Sequence, residues 1–171
     1  VNNMKHPSLV DRRLHFTRGF SLVELLVVIT IIAALVGVAL PNFLGARQRA
    51  KDAKKKAELG QLRNALRLYY NDFNSYPGGT GYYINGCGAT GTSQCAHAGP
   101  FQVGPSGSET VYMKNLPGDY NYNRHPLYPT DTDTFLLKAI LDNASDSDIA
   151  ASQARCGYPT PTPPEYHLCA D

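Results

Sequence analysis

The chain lacks the local motifs that commonly carry catalysis. It contains no nucleophile elbow, no helix with paired metal-ligating residues and no glycine-rich phosphate loop. Its histidines are scattered along the whole length, at His6, His15, His97, His125 and His167. These absences argue against an enzyme.

Charge is nearly absent from residues 20–44, where Glu24 is the only ionisable side chain in an otherwise apolar run. About 20 apolar residues are enough to cross the hydrocarbon core of a bilayer, so the run predicts a membrane-spanning helix. A conventional signal peptide is the main alternative, because Gly37-Val38-Ala39 matches its small-x-small cleavage pattern. Its apolar region is usually about 7–15 residues long, and the length of this run therefore favours a span.

The start of this run combines several unusual features. Basic residues precede it, and the hydrophobicity changes abruptly at Gly19-Phe20-Ser21-Leu22-Val23-Glu24. A carboxylate costs roughly 2.5–3.5 kcal/mol at the bilayer centre, and less near the interface, so Glu24 is expected to have a partner. The junction resembles that of the type IV pilin family, which includes pilins and the pseudopilins of type II secretion and competence. Pro41 also falls where many members of that family have a proline.

The resemblance implies that a membrane prepilin peptidase cuts between Gly19 and Phe20 and that Phe20 becomes N-methylated. Glu24, the fifth residue of the mature chain, would then pair with the terminal ammonium of a neighbouring subunit. The implied partners are this peptidase and methylase, other pilin subunits in a homo- or hetero-filament, and an inner-membrane platform protein. The implied location is the bacterial inner membrane, with the N-terminus cytoplasmic, and later an extracellular or periplasmic filament. The filament would serve adhesion, motility, DNA uptake or secretion.

The helical pattern continues beyond Pro41, which is expected to kink or loosen the helix rather than end it. Strong helix formers dominate as far as Asn74, where Ser75-Tyr76-Pro77-Gly78-Gly79 supplies the stop signal. An apolar stripe is predicted to face the rest of the protein. Its members recur every three to five residues: Ala50, Ala53, Ala57, Leu62, Leu66, Tyr69 and Phe73.

Charge is unevenly distributed. Residues 1–67 hold twelve of the sixteen Lys and Arg but four of the fourteen Asp and Glu. The densest basic cluster lies just after the apolar run, at Arg47, Arg49, Lys51, Lys54, Lys55 and Lys56. It predicts a solvated helix face that meets lipid head groups or acidic neighbours. DNA binding is the alternative, but no aromatic residues are interleaved, so direct nucleic-acid binding is not expected.

Cysteine is missing from the first 86 residues, and four cysteines follow: Cys87, Cys95, Cys156 and Cys169. An even number in a small exported domain predicts disulfides. Local pairing, Cys87 with Cys95 and Cys156 with Cys169, is favoured because short loops close most easily. The second pair would resemble the C-terminal disulfide loop of many type IV pilins. The close C-x₂₋₄-C spacing of zinc sites is absent, which disfavours zinc.

The C-terminal part predicts a small antiparallel sheet. Residues 77–110 are rich in glycine and polar residues and predict a long loop. Strands are predicted at 120–124, 134–141 and 165–169. Residues 110–119 resemble the pseudopilin stretch that leads into the first strand. The sequence has no tryptophan, so the Trp-Gly that follows in major type II pseudopilins is missing, and this departure favours a pilus subunit.

The expected fold class is therefore α+β: a long N-terminal helix, membrane-spanning in its first half, with an antiparallel sheet packed on its C-terminal half. The expected segments are a leader at 1–19, a membrane and filament-core helix at 20–44, an amphipathic helix at 45–75 and a globular head at 76–171. The alternative function is a membrane-anchored or secreted binding module that uses the ordinary export route. The chain begins with Val1, and translation from Met4 is the other option.

Acidic loops in the head raise the question of a metal. Asp142, Asp146 and Asp148 are close in sequence, and carboxylate oxygens suit calcium. Asp146-Ser147-Asp148-Ile149 partly resembles a calcium-binding stretch of type II major pseudopilins. Asp residues beside strands more often form turns, so no cofactor is expected, and calcium at these three residues is the alternative.

Overall fold

The fold was taken from a computed structural model that describes residues 19–124 and 131–170, without the side chains of Pro41, Asn42 and Thr80. The predicted leader and His125 lie outside these residues, apart from Gly19. The first element, α1, is a helix over Leu22–Phe73 that continues through Pro41. Contacts within the chain divide it between Asn42 and Phe43, and the two parts are described separately.

The part that ends at Asn42 presents its apolar side chains to the surroundings. By length and composition this stretch of α1 could cross a membrane, and none of its most apolar window is buried within the protein. Leu22, Ile31 and Leu35 are each more than half exposed. An apolar surface of this extent is unfavourable in water, so the segment is suited to a lipid or protein environment.

The part that begins at Phe43 contains the C-terminal portion of α1 and two antiparallel sheets. The larger sheet has four strands in the order β1-β4-β5-β6, with β1 at Thr80–Gly81, β4 at Asn121–Arg124, β5 at Phe135–Ile140 and β6 at Glu165–Cys169. The smaller sheet pairs β2, Phe101–Val103, with β3, Thr110–Met113. A second helix, α2, covers Asp148–Arg155. This α+β architecture agrees with the predicted class.

The core lies between α1 and one face of the larger sheet. Side chains alternate along β4 and β5, so Tyr122, Phe135 and Leu137 face α1 and are buried. From α1 the core receives Leu59, Leu62, Ala65, Leu66 and Tyr69. Burying an aliphatic side chain of this size contributes about 1.5–3 kcal/mol, so this layer is a main source of stability.

The predicted apolar stripe of α1 is correct only in its second half. Leu62, Leu66 and Tyr69 are buried, but Ala50, Ala53 and Ala57 are exposed. Phe73 is 40% exposed and stacks on Tyr69. The first half fails because the face directed at the sheet is polar there, with Asp52 buried instead of an alanine.

The predicted loop at 77–110 contains more order than its composition indicates. It holds β1 and β2 and buries Ile84, Cys87 and Cys95 against α1. The Tyr69 hydroxyl donates to the Gly91 carbonyl oxygen at 3.0 Å, which fixes the loop to the helix. Gly91 has φ +69, a left-handed conformation that favours glycine. An added Cβ would also be crowded, at 3.2 Å from Val103 Cγ1 and 3.3 Å from the Tyr69 hydroxyl oxygen.

Helix α2 lies beside β6, the strand at one edge of the larger sheet. The Ser152 hydroxyl oxygen accepts from the backbone N–H of His167 at 3.1 Å, and the Gln153 side-chain amide donates to the backbone carbonyl of Glu165. Gln153 also accepts from the backbone N–H of Thr162 at 2.7 Å. Two side chains of one helix therefore bind backbone groups of β6 that lie on the side away from β5.

Candidate functional site

The N-terminal junction lies at the beginning of α1. Gly19 and Phe20 precede the helix, the Phe20 side chain is 79% exposed, and a Cβ added at Gly19 would meet nothing within 4 Å. Glu24 is in the first helical turn and is exposed. The positive end of the helix dipole favours a carboxylate there. Cleavage after Gly19 would put a new ammonium four residues from Glu24.

The basic cluster after the span is not simply a solvated face. Asp52 is only 1% exposed, and its carboxylate accepts the backbone N–H of Asp142 at 2.7 Å and of Asn143 at 2.9 Å. Both donors lie in the turn that follows β5. Such charge-assisted bonds are roughly twice as strong as neutral ones, so Asp52 fixes this turn to α1.

Two lysines of α1 hold the same segment. The Lys55 ammonium donates to the Ile140 carbonyl oxygen and the Asp142 carboxylate, each at 2.7 Å. The Lys56 ammonium lies 2.7 Å from Asp146 Oδ1 and 2.8 Å from Asp148 Oδ2. We call Asp52, Lys55, Lys56 and the three aspartates Asp142, Asp146 and Asp148 the charged clamp.

The clamp perturbs the carboxyl groups in the expected direction. The hydrogen bond from Lys55 holds the pKa of Asp142 below its usual value, and the hydrogen bond from Lys56 does the same for Asp146. Burial alone would lower the pKa of Lys56, but its bonds to Asp146 and Asp148 raise it. The ion pairs of Lys55 with Asp142 and of Lys56 with Asp146 and Asp148 are therefore maintained throughout the physiological pH range.

The three aspartates suggested for calcium are the acidic members of this clamp. Among the described residues, no group of three or more His, Cys, Asp or Glu side chains is arranged to hold a metal ion. Lysine ammonium groups already balance the carboxylates. Calcium binding stays a prediction, and the observed contacts do not require it.

Cysteine pairing follows the local scheme. Disulfides join Cys87 to Cys95 and Cys156 to Cys169. The second links the residue after α2 to the end of β6. His167, 1% exposed, lies in this region, with Nε2 3.0 Å from Glu165 Oε2, and burial lowers its pKa. No partner for its Nδ1 is found in the described part of the chain.

The clamp and the buried histidine were not predicted from the sequence. The available signal for the clamp was Asp52 itself, the only acidic residue between Glu24 and Glu58 and one surrounded by basic residues. Helix α2 was also not predicted, because the sequence around Asp146 and Asp148 indicates a turn, with calcium binding as the alternative. Instead, Asp146 Oδ1 accepts the backbone N–H of Asp148 at the start of α2, 2.9 Å away.

Comparison with known proteins identifies the motif at the N-terminal junction. Residues 15–40 match the model of the prokaryotic N-terminal methylation motif. This stretch contains Gly19 and Phe20, so the chain carries that motif at the junction that resembles the one in type IV pilins.

Individual relatives come from both branches. The chain is 48% identical over 59 residues to the type IV wide pilus major component PilA4 of Thermus thermophilus. This alignment covers 34% of this chain and 45% of the relative. It is 40% identical over 60 residues to type II secretion system core protein G of Escherichia coli K12, covering 35% and 41%. It is 36% identical over 59 residues to type IV major pilin protein PilA of Myxococcus xanthus, covering 34% and 27%.

The similarity is confined to one segment, because each alignment spans less than half of the relative and about a third of this chain. No solved structure matches the chain. The relatives are named as a pilus major component, a secretion system core protein and a major pilin, and none of these names describes an enzyme. The apolar part of α1 is long and apolar enough to cross a membrane.

Proposed function

We propose that this protein is a prepilin-like filament subunit, processed between Gly19 and Phe20 by a prepilin peptidase and then assembled into a type IV pilus or a related filament. The observation that carries the proposal is the junction itself. Gly19 and Phe20 are followed by a single carboxylate, Glu24, in the first turn of an apolar helix whose most apolar window buries nothing within the chain. The methylation motif covers this same stretch.

Assembly follows from the physical requirements of that helix. In the membrane, Glu24 and the terminal ammonium left by cleavage are costly charges in an apolar medium. Pairing the Glu24 carboxylate of one subunit with the ammonium of a neighbour removes much of that cost. The apolar residues 20–44 then pack on equivalent residues of other subunits. The implied partners are the peptidase and methylase, further pilin subunits and an inner-membrane platform protein.

The orientation belongs to the same proposal. The leader is expected to stay in the cytoplasm, residues 20–44 to span the inner membrane once, and residues 45–171 to lie outside. The missing Trp-Gly supports a pilus subunit over a major type II secretion pseudopilin. The disulfides Cys87–Cys95 and Cys156–Cys169 suit an oxidising compartment and support this placement.

The mature N-terminus tests the processing step. We expect intact-mass and N-terminal sequencing to find N-methylated Phe20 when the chain is expressed with a prepilin peptidase. Gly19→Leu should block cleavage, because a large side chain replaces the hydrogen at the residue before the cut. A matched Gly37→Leu variant, within the span, should be processed normally. A mature chain that begins at Leu40 would instead identify a secreted module, and an uncut chain a simple membrane anchor.

Glu24 tests the assembly step. Glu24→Ala should insert into the membrane and be cleaved like the natural chain, because the substitution makes the helix more apolar. We expect its incorporation into filaments to fall at least about tenfold, as measured by immunoblots of sheared filaments. Glu58→Ala, which removes a half-buried carboxylate outside residues 20–44, is the control and should assemble normally. Normal assembly of Glu24→Ala would contradict the proposed pairing.

A further inference from the structure

The larger sheet carries an open groove lined by residues of β4, β5 and β6, by the turns beside β1 and β4, and by Lys55 of α1. Its volume is about 610 Å³, within the range of ligand pockets. It lies where β4 begins, β5 ends and β6 begins, and Asn121, Lys138, Ile140 and Glu165 line it. Asn121 faces Lys138 across one strand pair, and Ile140 faces Glu165 across the next. Four of the lining residues therefore lie on paired strands.

Two asparagines give the groove an ordered set of hydrogen-bonding groups. The side-chain amide of Asn123 donates to the Asn121 side-chain oxygen at 3.0 Å, which fixes both side chains. An amide has two donor hydrogens and an acceptor oxygen. Within residues 19–124 and 131–170, no hydrogen bond uses the Asn121 amide nitrogen or the Asn123 side-chain oxygen. The Asn121 amino group and the Asn123 side-chain oxygen are thus available to a ligand as donor and acceptor.

The charges that line the groove cancel. Lys55 and Lys138 contribute two positive charges, and Asp119 and Glu165 contribute two negative charges. The ammonium of Lys138 is already bound to Glu165 at 3.2 Å, and that of Lys55 to Asp142. A strongly charged ligand would therefore gain little here, and a neutral polar ligand is the better match.

An exposed aromatic ring completes the wall. Tyr82, which follows β1, is 56% exposed and lines the groove. A sugar ring presents an apolar face of C–H groups and an edge of hydroxyls, each of which both donates and accepts. An aromatic face beside paired amide groups complements these two surfaces. Peptides, in contrast, need unpaired backbone groups or apolar side-chain pockets, and the described lining offers mainly polar side chains.

We propose that this groove binds a neutral oligosaccharide of a few residues, which stacks on Tyr82 and hydrogen-bonds to Asn121 and Asn123. The inference does not depend on processing at Gly19, and it adds a recognition function to a protein proposed to act by assembly. It concerns only the part of the chain that begins at Phe43.

The test uses the full chain in an amine-oxide detergent, because detergents with a maltose head group would compete for the site. Maltotriose, cellotriose and N,N′,N″-triacetylchitotriose are titrated by calorimetry, with a heparin hexasaccharide as the charged comparison. We expect at least one neutral trisaccharide to bind at millimolar concentration and heparin to bind more weakly. The absence of binding by all three, or stronger binding of heparin, would overturn the proposal.

Variants connect binding to the groove. Tyr82→Ala should weaken binding about tenfold, in line with the loss of one aromatic contact. Tyr83→Ala is the matched control, since Tyr83 is adjacent and 51% exposed but does not line the groove, and it should bind normally. Asn121→Asp preserves size but replaces the free donor with a charged acceptor, and it should also weaken binding. Equal losses in the two tyrosine variants would overturn the proposal.

A second copy of the chain is the competing occupant. Sedimentation of the full chain, with and without the best trisaccharide, distinguishes the two. Concentration-dependent association that Tyr82→Ala abolishes and that sugar does not affect would assign the groove to self-association and overturn the proposal. Near-ultraviolet circular dichroism of each variant verifies that its tertiary structure is intact.

Discussion

At the scale of single residues, Asp52 has a different role from the charges around it. Exposed lysines such as Lys54 form surface pairs that contribute little, and its contact with Glu58 at 3.6 Å is one of these. Asp52 is buried and accepts two backbone N–H groups that would otherwise lose their partner. A hydrogen bond to a charged group contributes about 1.5–3 kcal/mol, so this carboxylate is expected to stabilise the fold.

Asp52→Asn tests that role. The amide has nearly the same shape, but it presents an uncharged oxygen and an amino group that cannot accept, so one backbone N–H loses its partner. We expect the free energy of unfolding to fall by about 2 kcal/mol, measured by urea denaturation followed by tyrosine circular dichroism.

Glu58→Gln is the matched control for that measurement, since it alters a half-buried carboxylate on the same helix whose only ion pair is with the exposed Lys54 among the described residues. It should change the free energy of unfolding by less than about 0.5 kcal/mol. If the two variants are equally stable, the hydrogen bonds of Asp52 do not contribute the expected 2 kcal/mol or so to the free energy of unfolding.

Residue roles differed in how far the sequence could reveal them. Gly19, Phe20 and Glu24 are recognisable because their positions are fixed relative to one another within a few residues. Asp52 receives its partners from Asp142 and Asn143, about 90 residues along the chain, and no local pattern records that contact. The groove residues Tyr82 and Asn121 are likewise brought together only by strand pairing.

At the scale of elements, β6 and α2 form a unit around His167. The His167 ring nitrogen Nε2 contacts Glu165, and Tyr158 lies edge-on to the ring. Lys138 from β5 contacts Glu165, and Arg63 and Arg155 line the adjoining cavity of about 130 Å³. Burial lowers the pKa of His167, and the nearby Lys138 acts in the same direction, while the hydrogen bond to Glu165 opposes them.

This lowered pKa predicts a pH dependence with a definite sign. The unfolded chain takes up a proton on His167 as the pH falls below about 6.5, whereas the folded protein keeps the ring neutral. The free energy of unfolding should therefore decrease as the pH falls from about 6.5 to the pKa that His167 has in the folded protein. Above about pH 6.5 it should not depend on His167. Thermal melting between pH 5 and pH 7 measures it.

His167→Gln supplies the comparison, because its amide does not titrate and can still hydrogen-bond to Glu165. We expect a flatter profile between pH 5 and pH 7. Asp142 and Asp146 affect stability at lower pH than His167 does. Their pKa values are lowered in the folded protein, so the stability that they contribute is lost only as the pH falls below about 4 and the carboxylates become protonated. An unchanged profile in His167→Gln would assign the acid sensitivity to another group.

Elements were predictable where a local pattern was long enough. Strands β4, β5 and β6 follow alternating or apolar runs, and the structure confirms them within one residue of the predicted ends. Strand β2 is three residues long, too short for an alternation to be distinguished from its glycine-rich surroundings. Helix α2 is eight residues long and buries Ile149 together with two polar residues, Ser152 and Gln153, so apolar residues alone do not reveal its buried face.

At the scale of the whole molecule, the described residues divide into an exposed apolar stretch and a part with a core. Residues 19–40 are all exposed, whereas the part from Phe43 has a continuous core and both disulfides. The sequence predicted this difference from composition, because the apolar run is uninterrupted and the cysteines come later. The predicted borders at 44 and 75 were not tested.

A fragment of residues 45–171 should therefore fold without the span. We expect a cooperative thermal transition, by circular dichroism, and an intact mass that corresponds to two disulfides. The same fragment with Leu62→Ala should lose about 2–5 kcal/mol of stability, because this leucine is fully buried between α1 and the sheet. A fragment that unfolds without cooperativity would show that the core needs the preceding helix.

The contacts of Ser152 and Gln153 with β6 affect the tendency of the protein to aggregate at high concentration. A bare edge strand is a template for pairing with other chains and for aggregation. Here α2 occupies the outer backbone groups of β6, and the opposite edge is β1, a strand of two residues. Neither edge offers a long stretch of free backbone, so many copies can accumulate side by side without their sheets joining into amyloid-like stacks.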